Sequence, residues 1–123
     1  MQNEKAKFKE DFTKRLIRFS VDIISFCEKL GVHRSLWSLS DQLIRSASSV
    51  GANVTEAKSS SSRRDYIKFF EIALKSANET KYWLTVVQES KPEIGSAAAP
   101  LYREAEEISK IIGSSVLTLK GKR

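Results

Sequence analysis

Apolar residues recur at alternating steps of four and three positions along most of the chain. One such stripe, near the start, consists of Phe12, Leu16, Phe19, Ile23, Phe26 and Leu30. This spacing is typical of a helix with one buried face. Three later segments repeat the pattern, and none shows the period of two that marks a strand. The pattern predicts helices over about residues 4–30, 39–58, 63–89 and 100–119.

Polar residues and prolines mark the predicted helix boundaries. Ser38 and Ser62 are each followed three positions later by an aspartate, which favours N-caps at these serines. Residues 90–99 contain a proline, a glycine and several small residues, so we expect a loop there, with Pro100 at the first position of the fourth helix. Short connections between long helices predict one all-α domain over residues 1–123, an antiparallel up-down-up-down four-helix bundle.

Two features of the apolar pattern suggest contacts beyond an ordinary bundle core. Residues 46–52 are nearly all small, and Gly51 in the middle of a helix costs about 1 kcal/mol relative to alanine. We expect an unusually close helix contact there. Phe69, Trp83 and Val86 lie outside the stripe of the third helix. They predict a second buried face, and hence a homo-oligomer that packs bundles side by side.

The residue inventory argues against catalysis and metal binding. The chain has one cysteine, Cys27, and one histidine, His33. These exclude a disulfide framework, a cysteine-based zinc cluster and a multi-histidine metal site. No phosphate-binding glycine loop and no set of nucleophile, base and orienting acid can be assembled from the sequence. We therefore predict no catalytic residues, no metal, no cofactor and no enzymatic activity.

The first residues and the hydropathy of the chain predict where in the cell the protein is located. The first twelve residues are highly charged and lack the apolar run of a signal peptide. No stretch approaches the roughly 20 apolar residues of a membrane span. The sequence therefore predicts a cytoplasmic protein without a membrane partner, in which Cys27 is reduced.

Six polar residues of the second and third helices are candidates for a shared role, and one of them, Asn53, lies close to the apolar stripe of the second helix. They are Arg45, Asn53, Glu56, Lys75, Asn78 and Glu79. Because buried polar groups must be paired, one interpretation is a structural hydrogen-bond network that fixes the register of the helices. The other is a ligand or partner site at the mouth of the bundle. The sequence leaves both open.

Two segments resemble the signature of a bacterial family. They are residues 42–57, QLIRSASSVGANVTEA, and residues 65–84, DYIKFFEIALKSANETKYWL. The family comprises four-helix-bundle proteins encoded in intervening sequences of large-subunit ribosomal RNA genes, and the accessory variability determinant of diversity-generating retroelements is a relative. This chain has Ala47-Ser48 where the family often has Gly-Thr, and Ser76 where it often has Glu. The resemblance implies a bundle assembled into a homopentameric barrel with no known enzymatic activity.

The net charge of +6 favours a polyanionic partner. The charge is spread over both halves of the chain, but five copies would place about +30 on one particle. The leading hypothesis is therefore a non-catalytic oligomeric scaffold that binds RNA or DNA. The candidate phosphate contacts are Arg15, Arg18, Arg63, Arg64 and Lys68. The alternative is a protein–protein interaction module that docks a partner such as a reverse transcriptase.

Overall fold

A computed structural model describes residues 3–121 of the chain. Four long helices account for most of this part: α1 (Glu4–Leu30), α2 (Trp37–Lys58), α3 (Arg63–Ser90) and α4 (Pro92–Leu119). A single 3₁₀ turn, Arg34–Leu36, precedes α2, and no strand occurs within residues 3–121. Each helix packs against the next, and α1 and α4 close the arrangement. The prediction of an all-α antiparallel four-helix bundle is confirmed.

The predicted stripes form the core. The six apolar residues from Phe12 to Leu30 that recur at helical spacing are all buried, and Ile23 and Leu30 are fully shielded from solvent. The other helices add large, fully buried side chains, namely Leu43, Val50, Leu84, Val87, Ile108 and Ile112. Burial of this apolar surface is the main favourable contribution to folding, because isolated helices of this length are only marginally stable in water.

The prediction for the start of the fourth helix is wrong. Helix α4 begins at Pro92, eight residues earlier than expected, and Pro100 lies inside it. A proline within a helix removes the hydrogen bond to the carbonyl four residues back, here that of Ser96. Both residues are exposed, so water can solvate the freed carbonyl. The fully buried Ala98 shows that this first part of α4 is packed into the core.

The predicted caps are partly confirmed. Ser62 is the N-cap of α3, where its side chain accepts a hydrogen bond of 3.1 Å from the backbone N–H of Asp65. Ser38 is not a cap, because α2 already begins at Trp37 and has no side-chain cap. Instead, the Trp37 indole N–H donates to the carbonyl of Gly31 at 3.0 Å, which links the end of α1 to the start of α2.

The small residues of α2 permit close contacts on two sides. A Cβ atom added at Gly51 would lie 3.4 Å from the Cβ of Leu16, an ordinary van der Waals distance, so Gly51 faces α1 without being required there. Toward α3, the hydroxyls of Ser46 and Thr80 lie 2.9 Å apart, as do those of Ser49 and Ser76. The segment therefore contacts both neighbouring helices, and its short side chains meet α3 through direct hydroxyl contacts.

The exposed apolar side chains that share one helix face lie on α1, although Ile72 and Tyr82 of α3 are exposed as well. Phe69, Trp83 and Val86 are each half-buried within the single chain. The exposed apolar side chains at helical spacing are instead Ile17, Val21 and Ile24 of α1, exposed by 59%, 45% and 42%. We call these three residues the α1 stripe. Their spacing of four and three residues places them on one face of α1.

Candidate nucleic-acid interface

The first turns of α3 carry three of the five predicted phosphate contacts. Arg64 and Lys68 are four residues apart and therefore lie on the same face of the helix. Together with Arg63, they line a surface groove of about 480 Å³ at the end of the bundle. The structure thus brings Arg63, Arg64 and Lys68 together, as local helical spacing suggests.

The last residues of α4 complete this groove. Lys120 lies across from α3 and contacts the Glu71 carboxylate at 2.5 Å. The Arg63 guanidinium donates a hydrogen bond of 2.6 Å to the carbonyl of Leu119. Cations at a helix C-terminus are favoured because the last carbonyls carry partial negative charge. We call Arg63, Arg64, Lys68 and Lys120 the basic groove. Lys120 is the member that the sequence analysis missed, because nothing local indicates that the two helix ends meet.

The remaining two predicted phosphate contacts lie on α1, outside the basic groove. The Arg15 guanidinium donates two hydrogen bonds of 2.7 Å to the Glu104 carboxylate of α4. These hydrogen bonds raise the pKa of Arg15 further above its usual value. Arg18 lies 3.7 Å from Asp22, one turn later on the same helix. Both charges are therefore paired within the chain, which argues against Arg15 and Arg18 as phosphate contacts.

The six predicted network residues do not form one network. Asn53 is half-buried and donates hydrogen bonds to the carbonyl and hydroxyl of Ser49 at 2.8 and 3.0 Å. Arg45 is exposed and donates to Gln42 one turn earlier, while Glu79 accepts from the Trp83 indole. Three further members are exposed and make no side-chain hydrogen bond within residues 3–121, namely Glu56, Lys75 and Asn78.

The buried polar contacts between α2 and α3 are made by short hydroxyl side chains instead. They run from Asn53 through Ser49 to Ser76, and from Ser46 to Thr80. Ser76 is buried against α2. The position at which this chain has serine and the family often has glutamate therefore lies at the helix interface and not on the surface. The serines of residues 46–49 could have signalled this, because their spacing places Ser46 and Ser49 on one face.

Cys27 is buried and donates a weak hydrogen bond to the carbonyl of Ser40 at 3.7 Å. Burial raises the pKa of its thiol. The folded chain therefore binds this proton more tightly than the unfolded chain does. The resulting stabilisation is complete below the ordinary thiol pKa of about 8.5 and is lost as the pH rises through the folded-state pKa.

We expect Cys27 to react with iodoacetamide at pH 8 at least tenfold more slowly in the native protein than in urea, because the thiolate is the reactive form. Mass spectrometry of timed samples measures both rates. Equal rates in the native and unfolded states would contradict the buried position.

Metal-ligating side chains do not gather in groups of three or more within residues 3–121. Among the same residues, none of the helices has the length and hydropathy that a membrane span requires.

Comparison with known proteins gives two matches to consider. Residues 9–114 match the family model described as 23S rRNA-intervening sequence protein. A crystal structure of a protein of unknown function from the S23 ribosomal protein family of Bacteroides thetaiotaomicron VPI-5482 aligns with a TM-score of 0.79 and 32% sequence identity, covering 85% of this chain and 96% of that one. A comparison with curated proteins gives no match. Neither description names an enzymatic reaction. The resemblance of the two signature segments is thus confirmed, and the chain belongs to the 23S rRNA-intervening sequence protein family.

Proposed function

We propose that this protein is a non-catalytic, oligomeric nucleic-acid-binding scaffold, and that RNA is its polyanion. The basic groove is the observation that carries the proposal. Four cationic side chains surround it, and Glu71 is its only carboxylate among the described residues. Lys and Arg gathered on one surface attract phosphates and supply most of the sequence-independent affinity for nucleic acid. The family name refers to an intervening sequence of 23S rRNA, and we choose RNA as the first polyanion to test for that reason.

The charges elsewhere on the molecule favour this end as the binding surface. Lys14, Arg18 and Lys110 each pair with a carboxylate one turn away on their own helix. Arg15 pairs with Glu104 between helices. Such pairs cancel locally, so they contribute little to the field around the molecule. In the basic groove Lys120 is paired in the same way with Glu71, whereas Arg63, Arg64 and Lys68 have no carboxylate partner among the described residues.

The α1 stripe supports the oligomeric part of the proposal. Three neighbouring apolar side chains on one helix face are typical of an interface with another copy or another protein. A homopentamer, as the family resemblance implies, would repeat the basic groove five times on one particle. Repetition matters because each additional phosphate contact steepens the salt dependence of binding.

Binding of a fluorescent single-stranded RNA, followed by anisotropy, tests the function. We expect clear binding at about 50 mM salt, with the affinity lowered about 300-fold at about 200 mM if six phosphates of the single strand are contacted. A linear fall of log affinity with log salt gives the number of contacts. The absence of binding at about 50 mM, or binding that is indifferent to salt, would contradict the proposal.

An acidic substitution in the α1 stripe tests the oligomer. We expect Val21→Asp to reduce the particle to a single chain at micromolar concentration, because a buried unpaired carboxylate costs several kcal/mol at an interface. Light scattering after size exclusion measures the mass. Lys29→Asp, at an exposed polar position of the same helix, should leave the mass unchanged. A wild-type mass equal to one chain would contradict the oligomer.

A further inference from the structure

A second cavity opens beside the basic groove at the same end of the bundle. This cleft has a volume of about 610 Å³ and lies where the starts of α1 and α3 meet the ends of α2 and α4. Sites for small ligands have volumes of roughly 300–1,000 Å³. The described residues that line the cleft include aromatic and basic side chains but no aspartate or glutamate. The cleft therefore combines the apolar surface of aromatic rings with positively charged side chains.

The aromatic side chains form two pairs of nearly parallel rings. Phe8 stacks on the buried Phe12 with centroids 6.1 Å apart and an angle of 11° between the ring planes. Tyr66 stacks on the buried Phe70 at 5.0 Å and 16°. In each pair a core ring supports an outer ring, and the Phe8 side chain remains 56% exposed. The outer rings thus offer supported flat faces on which another ring can stack.

Four cations surround these rings. The Lys9 ammonium lies 5.9 Å from the centre of the Tyr66 ring, and Lys58 contacts the Thr13 hydroxyl. Lys5 and Arg63 complete the set. A ligand that satisfies both features must carry a flat ring and a negative charge close to it. A nucleotide has this chemistry, because its base stacks on aromatic side chains while its phosphate binds cations.

Arg63 connects the cleft to the basic groove, because it lines both. A free mononucleotide would use the cleft alone, whereas a strand can enter it with one base and continue along the groove with its next phosphates. Paired bases in a duplex are stacked inside the helix and present no free face. The continuity of the two cavities therefore favours a single strand.

We propose that the cleft holds one unpaired nucleotide of a single-stranded RNA, with its base on the exposed ring of Phe8 and its phosphate among Lys5, Lys9, Lys58 and Arg63. This inference rests on the proposed function and deepens it, because it names the form of nucleic acid that the basic end selects. The groove supplies affinity for any phosphate backbone, and the rings supply the preference for unpaired bases.

The test compares a single-stranded oligouridylate of about ten nucleotides, which suits the site sizes of single-strand binders, with a GC-rich RNA duplex of about the same length that stays paired in the assay. We expect Phe8→Leu to weaken binding of the single strand about tenfold, because it removes one stacking face and keeps an apolar side chain. Binding of the duplex should not change. Phe8→Tyr keeps the ring and should retain wild-type affinity.

Trp37→Leu is the matched control, because Trp37 is 55% exposed at the opposite end of the bundle. It should leave the affinity for the single strand unchanged. Thermal melting of each variant, followed by circular dichroism, shows that it is folded. Phe8 is exposed, so folding should survive its replacement, and Tyr66→Leu provides an independent ring deletion.

The outcomes separate the two proposals. Equal single-strand affinities for the wild type, Phe8→Leu and Tyr66→Leu, with salt-dependent binding intact, would overturn the cleft and leave the proposed function standing. Absence of binding to either oligonucleotide at about 50 mM salt would overturn both. Adenosine monophosphate that binds more tightly than the oligonucleotide would identify the cleft as a mononucleotide site and overturn the single-strand inference.

Discussion

Changing Arg63, Arg64 and Lys68 together to alanine is expected to lower the affinity for single-stranded RNA about 100-fold at about 0.1 M salt. Each phosphate contact to a single strand contributes a slope of about −0.7 to the dependence of log affinity on log salt, which corresponds to about fivefold per contact at this concentration. The three side chains line one groove, so the triple variant removes three phosphate contacts from the same binding surface. The slope should become less steep by about 2.

A charge-matched variant separates local contacts from overall charge. Lys29, Arg34 and Lys91 lie near the helix ends at the opposite end of the bundle, and changing them to alanine removes the same net charge. We expect this triple variant to lose less than fivefold in affinity. Fluorescence anisotropy over a series of salt concentrations measures both variants. Equal losses would show that RNA responds to net charge alone and would contradict the assignment of the basic groove.

Phe19→Ala is expected to lower the free energy of unfolding by about 3–5 kcal/mol, which is typical of truncating a buried phenylalanine to alanine. Phe19 is 2% exposed and lies in the middle of the buried face of α1. Small domains are stable by only about 5–15 kcal/mol, so this change removes a large part of the total. Urea unfolding followed by circular dichroism, at one fixed protein concentration, measures the difference.

Arg18→Ala is the control for the core variant. Arg18 is adjacent to Phe19 on α1 but exposed, and its ion pair with Asp22 is solvated. Exposed pairs of this kind contribute about 0.5 kcal/mol or less. If the two substitutions shift the urea midpoint equally, the orientation of α1 in the bundle is wrong.

The helices could be predicted because each apolar stripe repeats within its own segment. The apolar spacing in α1, for example, is a purely local signal, and the six residues from Phe12 to Leu30 that carry it are all buried in the structure. The predicted start of α4 was wrong because the segment contains two prolines that each suit the first position of a helix. Pro92 and Pro100 both suit a first helical position, and only Pro92 occupies one. The apolar spacing of α4 also continues toward the N-terminus through Ala98 and Ile94, and this continuation favours the earlier start.

The candidate interface was predictable only where it depends on one helix. Arg64 and Lys68 are neighbours by helical spacing, and Ser62 locates the start of that helix. The pairing of Arg15 with Glu104 depends instead on how α1 and α4 meet. The same is true of Lys120, and of the hydroxyl contacts between Ser46 and Thr80. No local pattern encodes which residues of two distant helices come opposite one another, so these contacts required the structure.

The bond between Arg15 and Glu104 also connects the first helix of the chain with the last. It joins residues 89 positions apart, whereas α2 and α3, and then α3 and α4, meet across connections of a few residues. Contacts between sequence neighbours close quickly, and distant ones must first overcome the entropy of a long loop. During synthesis α1 emerges first, yet it gains its second neighbour only after most of α4 has been made. The face of the first helix that meets α4 therefore stays uncovered until the last helix has been made.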